Sequence, residues 1–187
     1  MSDDVQALVE RAKEGNLASA SELIGRFYER IFAYFRRLSG SDSEAADLTQ
    51  KTFCRAWSGL AKFDGRASFN TWLHAIGHHV YVDWRRRSSR LEMQSNEWWA
   101  ECVADGPGPF DNVADRDAAQ LLYAQVERLE EEQRETIHLH YYQALSIQET
   151  ADALNIATST VKYRLRQALD RLKSRMAEPR LGLERKS

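Results

Sequence analysis

The sequence predicts an all-α protein: two small helical domains joined by a flexible acidic linker, the C-terminal one a helix-turn-helix. Three observations predict it. Apolar residues recur at steps of three and four along both ends of the 187-residue chain. Between them, Ser95 to Asp115 (SNEWWAECVADGPGPFDNVAD) holds two Gly and two Pro and no sustained apolar period, so it reads as a linker between separate cores. Finally, Ser146 to Leu172 carries two helix patterns a short turn apart, the second loaded with Arg and Lys.

Val5, Leu8, Val9 and Ala12 predict a short first helix ending near Gly15. Leu23, Ile24, Phe27, Ile31, Phe35 and Leu38 predict a longer one closed by Gly40. Ser41 and Glu44 form a capping-box pattern for the third. Its inner side is Ala45, Leu48, Thr52, Phe53, Ala56 and Trp57, which leaves Asp47, Gln50, Lys51 and Arg55 outside. Phe27, Phe35, Phe53 and Trp57 are assigned to the core. Asp64-Gly65 marks a turn. Ser68 then caps a helix bearing Phe69, Trp72, Leu73, Ile76, Val80 and Tyr81, which runs into Arg85, Arg86 and Arg87.

Beyond the linker, Leu121, Leu122, Val126 and Leu129 define another helix, and Ile137, Leu139, Tyr142 and Leu145 lead into the last pair. Glu130, Glu131, Glu132 and Glu135 read as a solvated acidic face. In the last pair, Ser146 and Glu149 supply a capping box and Ile147, Ala151 and Leu154 an apolar stripe. Asn155 stands at the turn because Asn tolerates a left-handed backbone. Thr158 or Ser159 caps the final helix, whose inner face is Val161, Leu165, Ala168 and Leu172. A helix-turn-helix sets its second helix in the DNA major groove, first turns nearest the bases. That places Ser159, Thr160, Lys162, Tyr163 and Arg164 near base edges or adjoining phosphates, and Arg166 and Arg171 near the backbone.

Net charge is −2, so the chain is not uniformly basic. Its charge is segregated: seven acidic residues lie from Glu92 to Asp117 with Arg116 the only Lys or Arg among them, while the cations cluster near Arg85 to Arg90 and on the final helix. Cys54 and Cys102 read as isolated reduced thiols. His74 and His78 are one helical turn apart but lack a third ligand, so no metal or other cofactor is expected. No nucleophile accompanies the glutamates, and no catalytic residue is assigned. Without a signal sequence or an apolar run of about 20 residues, the expected location is the cytoplasm, with no direct membrane insertion. Two other readings remain open on these residues: a conventional helix-turn-helix regulator with an N-terminal sensing or dimerisation domain, and a small enzyme using Cys54 or the histidines.

Three segments carry a family resemblance: DLTQKTFCRAW (Asp47 to Trp57), FDGRASFNTWLHAIGHHVYVDWRRR (Phe63 to Arg87) and ALSIQETADALNIATSTVKYRLRQALDRL (Ala144 to Leu172). Leu23 to Arg87 resembles region 2 of a bacterial RNA polymerase sigma factor, and Ala118 to Met176 resembles region 4. Their order and the acidic linker resemble the extracytoplasmic-function (ECF) group of the sigma-70 superfamily. The resemblance implies a region 2 domain at 1–90, a linker at 91–117, a region 4 domain at 118–178 and a tail at 179–187. It implies RNA polymerase core as a partner, met through the beta-prime clamp helices and the beta flap, together with promoter DNA and an anti-sigma factor.

For core binding the resemblance carries over to Asp47, Gln50, Lys51 and Arg55, with Lys51 standing where the family commonly has an acid. For opening the minus-10 element it carries over to Phe63, Asp64, Arg66, Ser68, Asn70, His78, His79, Arg85, Arg86 and Arg87, with His79 where the family often has Asn. The last helix would read the minus-35 element as duplex. Such a factor needs no covalent chemistry of its own: it holds an unpaired base and its backbone while polymerase makes RNA. The linker acids Glu97, Glu101, Asp105, Asp111 and Asp115 would run through polymerase channels, and a closed state would hide the binding surfaces.

Overall fold

The computed structural model describes residues 3–88 and 116–177, and every regular element among them is helical. The N-terminal region comprises α1 (Asp3–Lys13), α2 (Leu17–Ser39), α3 (Asp42–Gly59), a short 3-10 turn (Leu60–Lys62) and α4 (Phe69–Ser88). The C-terminal region comprises α5 (Arg116–Glu127), α6 (Glu131–Ile137), a π-type turn (His138–Tyr142), α7 (Ile147–Leu154) and α8 (Thr158–Ala177). Residues 91–115 of the expected linker, with Trp98, Trp99, Phe110 and Cys102, lie outside the described residues, as do Arg90 and the tail at 179–187, whereas 116 and 117 already belong to α5.

In the N-terminal region, local chemistry sets the helix ends. Asn16 caps α2 by accepting the Ser19 amide at 2.9 Å, and Gly40 closes it in the left-handed conformation at φ 70°. Ser41 caps α3, its Oγ accepting the Glu44 amide at 3.4 Å. The expected reciprocal bond from Glu44 is not made: its carboxylate accepts the Trp84 indole N–H at 2.7 Å and ties α3 to α4. A half-buried indole needs an acceptor, and that tertiary demand overrides the local box.

The core packs Leu23, Phe27, Ile31 and Phe35 of α2 against Leu48 of α3 and Leu73 of α4. Gly77 lets α4 pass close to α2, since a Cβ there would lie 3.4 Å from the Phe35 ring. Trp57 departs from its expected core position and is 44% exposed. Small buried residues, Ala45, Thr49, Thr52 and Ala56, set the inward face of α3 together with Leu48, and the residue after Ala56 is rotated off it. Ile24 also lies outside, and Phe53 packs only partly against the core.

The C-terminal region has a smaller, aliphatic core of Val126, Leu129, Ile137, Val161, Leu165 and Leu172 with Ala151 and Ala168. Its capping box is complete: Ser146 Oγ accepts the Glu149 amide at 3.2 Å and Glu149 Oε2 accepts the Ser146 amide at 3.0 Å. Asn155 takes the left-handed turn at φ 53°. The expected hydroxyl cap of α8 is displaced by one residue. Helix begins at Thr158, and the Ala157 carbonyl receives the Val161 amide at 3.2 Å, so Thr158 and Ser159 lie within the first turn.

The two regions pack against each other. Leu139, Leu145, Ala153 and Leu154 join the N-terminal core rather than their own, and α7 lies against α4. The glutamate segment is therefore not a purely solvated face. Glu135 is 5% exposed, because the docking that buries those leucines carries it inward.

Candidate functional site

On α3, Asp47, Gln50, Lys51 and Arg55 share an exposed face, because α3 turns its small residues inward. Arg55 Nη2 donates to Asp83 Oδ2 of α4 at 3.0 Å, while the others face outward.

The second surface is the 63–68 loop and α4. Phe63 is 3% exposed, its ring 5.0 Å from Trp72 and edge-on to Phe69 at 5.8 Å. As packed here, the Phe63 ring is the anchor that holds the loop. Asp64 accepts the Arg66 amide at 3.1 Å and its guanidinium at 3.0 Å, and the Arg66 side chain is 90% exposed. Ser68 caps α4 by accepting the Thr71 amide at 3.1 Å. Asn70 is half-buried, and its carbonyl binds His74 Nδ1 at 2.9 Å.

The three histidines of α4 part company. His74 is fully buried, and burial pulls its pKa down to about 4, so it is a neutral core residue. His78 turns its Nδ1 to Glu135 Oε1 at 2.7 Å. His79 is exposed, with Nδ1 on the Ala75 carbonyl. Beyond them, Arg85 donates to Glu131 at 2.7 Å, and Arg86 and Arg87 are exposed.

The third surface is α8. Ser159, Lys162, Tyr163 and Arg166 are exposed, Tyr163 by 55%. Thr160, Arg164 and Arg171 are half-buried. Arg164 pairs with Glu132, and Arg171 donates to Glu130 at 2.7 Å and to Gln133 at 3.1 Å. Beside α8, Leu122, Val126, Ile137, Tyr141, Leu172 and Met176 line an apolar groove of about 700 Å³.

The second surface meets the C-terminal region through contacts that sequence reasoning missed. Tyr34 Oη donates to Glu135 Oε1 at 2.6 Å, and burial next to that carboxylate holds the phenol pKa well above its usual value, so it remains a donor. Glu149 works at both ends: Oε2 serves its own cap, while Oε1 accepts from Thr71 Oγ1 at 3.0 Å and Ser68 Oγ at 3.4 Å. The Ser146 amide foremost, then these hydroxyls, hold its pKa down. The N-termini of α4 and α7 thereby converge on one carboxylate, which both helix dipoles favour. Arg37 lies over the Tyr142 ring, 4.6 Å from its centroid. A cleft of about 530 Å³ between the regions is lined by His78, Arg85, Glu131, Glu135, Leu154 and Arg164. The one available signal was Tyr34, a phenol inside an apolar stripe that needed a partner.

Among the described residues, no helix is long and apolar enough to cross a membrane. Cys54 is exposed on α3.

Comparison with known proteins matches residues 23–91 to sigma-70 region 2 and residues 119–172 to sigma-70 region 4. RNA polymerase sigma factor YlaC of Bacillus subtilis is 30% identical over 165 residues, covering 87% of this chain and 94% of its own. ECF RNA polymerase sigma factor SigW of the same organism is 25% identical over 182 residues, covering 93% and 97%. RNA polymerase sigma factor NccH of Alcaligenes xylosoxydans xylosoxydans is 31% identical over 170 residues, covering 89% and 91%. Among solved structures, CnrH in complex with the cytosolic domain of CnrY superposes with a TM-score of 0.69 at 24% identity, covering 93% of this chain and 97% of the other. RpoE of Bartonella quintana, in complex with the anti-sigma factor NepR, gives 0.64 at 23% identity, covering 86% and 98%. At those identities the superpositions speak for the fold.

Proposed function

This chain belongs to the ECF group of the sigma-70 superfamily and is an alternative sigma factor that directs RNA polymerase to promoters, and from that premise we propose how its regions divide the work. A sigma factor is not itself an enzyme, which sets aside a catalytic role for Cys54 or the histidines. Family membership likewise displaces the conventional regulator with a sensing or dimerisation domain.

In our reading, 1–90 and 118–178 are the working domains. The exposed α3 face, Asp47, Gln50 and Lys51 with Arg55 beside them, docks on the beta-prime clamp helices. The loop after Phe63 and the basic end of α4 hold the opened minus-10 strand: Arg66, Arg85, Arg86 and Arg87 supply cations for its backbone, and Ser68, Asn70 and His79 line the approach. The α7 and α8 pair is the DNA-reading helix-turn-helix. Ser159, Lys162, Tyr163 and Arg166 stand ready for the minus-35 duplex, with Thr160, Arg164 and Arg171 on the flank against α6. The apolar groove beside α8 receives the beta flap. An anti-sigma factor, as NepR is for RpoE, is the regulatory partner, and the cytoplasm is the site of action.

The carrying observation is the pair of sigma regions in order, with exposed faces on α3 and α8. The test is reconstitution with sigma-free core polymerase and transcription from a promoter library. Promoter-dependent transcripts are expected, and their absence would refute the reading. Lys162→Ala and Arg166→Ala should each weaken upstream-element binding and lower its salt slope by about one. Arg66→Ala should impair initiation on duplex promoters but spare promoters melted beforehand.

A further inference from the structure

Helix α1 precedes the stretch matched to sigma-70 region 2, which begins at residue 23, yet it packs on the loop assigned to promoter opening. Leu8, Val9 and Ala12 bury its inner side in the same core as Leu60, Phe63 and Phe69. Gln6, Glu10 and Lys13 stand at helical steps of four and three and are bonded in a row: Gln6 Nε2 donates to Glu10 Oε1 at 2.9 Å, and Lys13 Nζ donates to the same oxygen at 3.0 Å. Both ends of this row reach the loop. The Lys13 ammonium lies 5.6 Å from the centroid of the Phe63 ring, and its side chain is only 22% exposed. Gly65 holds a left-handed φ of 73°, and a Cβ there would lie 3.9 Å from Gln6 Nε2.

We propose that Gln6 and Lys13 are positioning residues for promoter opening: through them α1 braces the 63–66 loop, so that Arg66 meets the opened strand from a loop that is already ordered. The proposal rests on the assignment of that loop under the proposed function. A glycine at positive φ leaves the loop a wide choice of conformations, and ordering it during strand capture would weaken binding. Contacts from α1 meet that cost at folding instead. Trp72 and Phe69 of α4 pack on the Phe63 ring, and α1 adds a cation drawn to the ring by its quadrupole. Glu10 fixes where that cation sits. Lys13 is thus engaged by a carboxylate and a ring, and acts on the strand through Phe63 and the loop it anchors.

The test uses the full-length chain with Lys13→Met, Gln6→Ala or Lys13→Arg, each of which leaves the buried side of α1 intact. Lys13→Met keeps an apolar stem and removes the charge, whereas Lys13→Arg keeps a cation that also packs on an aromatic face. The control is Arg26→Gln, which breaks the pair with Asp4 that joins α1 to α2. Two measurements are made. Hydrogen exchange of peptides covering 63–68 reads the loop in the free chain. Opening is read with core polymerase and a duplex promoter recovered from the library, carrying 2-aminopurine in its minus-10 element, over a series of salt concentrations.

Lys13→Met and Gln6→Ala should each raise exchange in the loop about threefold and slow opening by a similar factor. Lys13→Arg and Arg26→Gln should stay within about twofold of wild type in both measures, and the salt dependence of opening should be the same in Lys13→Met as in wild type. Unchanged exchange in the loop would overturn the brace, as would a loosened loop that opens promoters at the wild-type rate, a defect in Lys13→Arg or Arg26→Gln equal to that of Lys13→Met, or a salt slope lowered by about one, the mark of a direct phosphate contact. The brace can fail in each of these ways while wild-type transcription stands, whereas absence of wild-type transcripts would bring down the sigma reading itself.

Discussion

The two regions solve the same problem, stabilising a short helical bundle, with different materials. In the N-terminal region Tyr34, Phe35, Phe63, Phe69 and Trp72 contribute aromatic rings to a larger core, and each positive-φ position among the described residues is a glycine: Gly15, Gly40 and Gly65. The C-terminal region has an aliphatic core, turns on Ala144 at φ 54° and Asn155 at φ 53°, and buries part of its apolar surface against its neighbour. The contrast teaches that the region proposed to read duplex DNA is the dependent one. Its stability is partly borrowed from docking, so separating it from its neighbour removes part of that stability.

The largest expected effect comes from the larger, aromatic core. Phe35→Ala should cost about 4 kcal/mol, read in denaturant melts, and should loosen both regions because α7 rests on that core. A loss confined to the N-terminal region would break the asymmetry. Next is Leu139→Ala, at about 3 kcal/mol. Hydrogen exchange should rise in α6 to α8 while α2 and α3 keep their protection; uniform loosening would contradict the borrowed stability.

Acid probes both regions, since each buries a histidine whose pKa burial lowers: His74, to about 4, and His138. An unfolded imidazole takes up its proton near pH 6.5. Stability is therefore complete above that pH and declines as pH falls, because the unfolded chain binds the proton first. For His74 the decline runs from 6.5 to about 4 and totals about 3 kcal/mol. His74→Gln should flatten the curve, as measured by melts across pH. The smallest effect is a gain: Ala144→Gly removes a left-handed alanine and should add up to about 1 kcal/mol, without any counterpart in the glycine-turned region.

Much of the fold was legible because it is local. The stripes of α2, α4 and α8, the Gly40 and Asn155 turns, and the caps at Ser41, Ser68 and Ser146 all follow from residues within one or two helical turns of each other. So does the exposed face of α3. The exposure of candidate residues was legible where they stand on such a face, as with Lys162 and Arg166, and the surroundings of a side chain were not legible where it had a distant partner. Glu44 was read as half of a capping box and instead holds Trp84. Glu135 was read as solvated and is buried beneath Tyr34, a partner 101 residues away.

By itself, then, the sequence determined the helices, their ends and the family, because periodicity and capping act over a few residues and survive without knowledge of the neighbours. Only the tertiary structure decided which carboxylates face water and which face α4. That choice depends on how two bundles dock, and nothing in the spacing of Glu130, Glu131, Glu132 and Glu135 distinguishes an acid at the surface from one that a phenol and an imidazole have claimed.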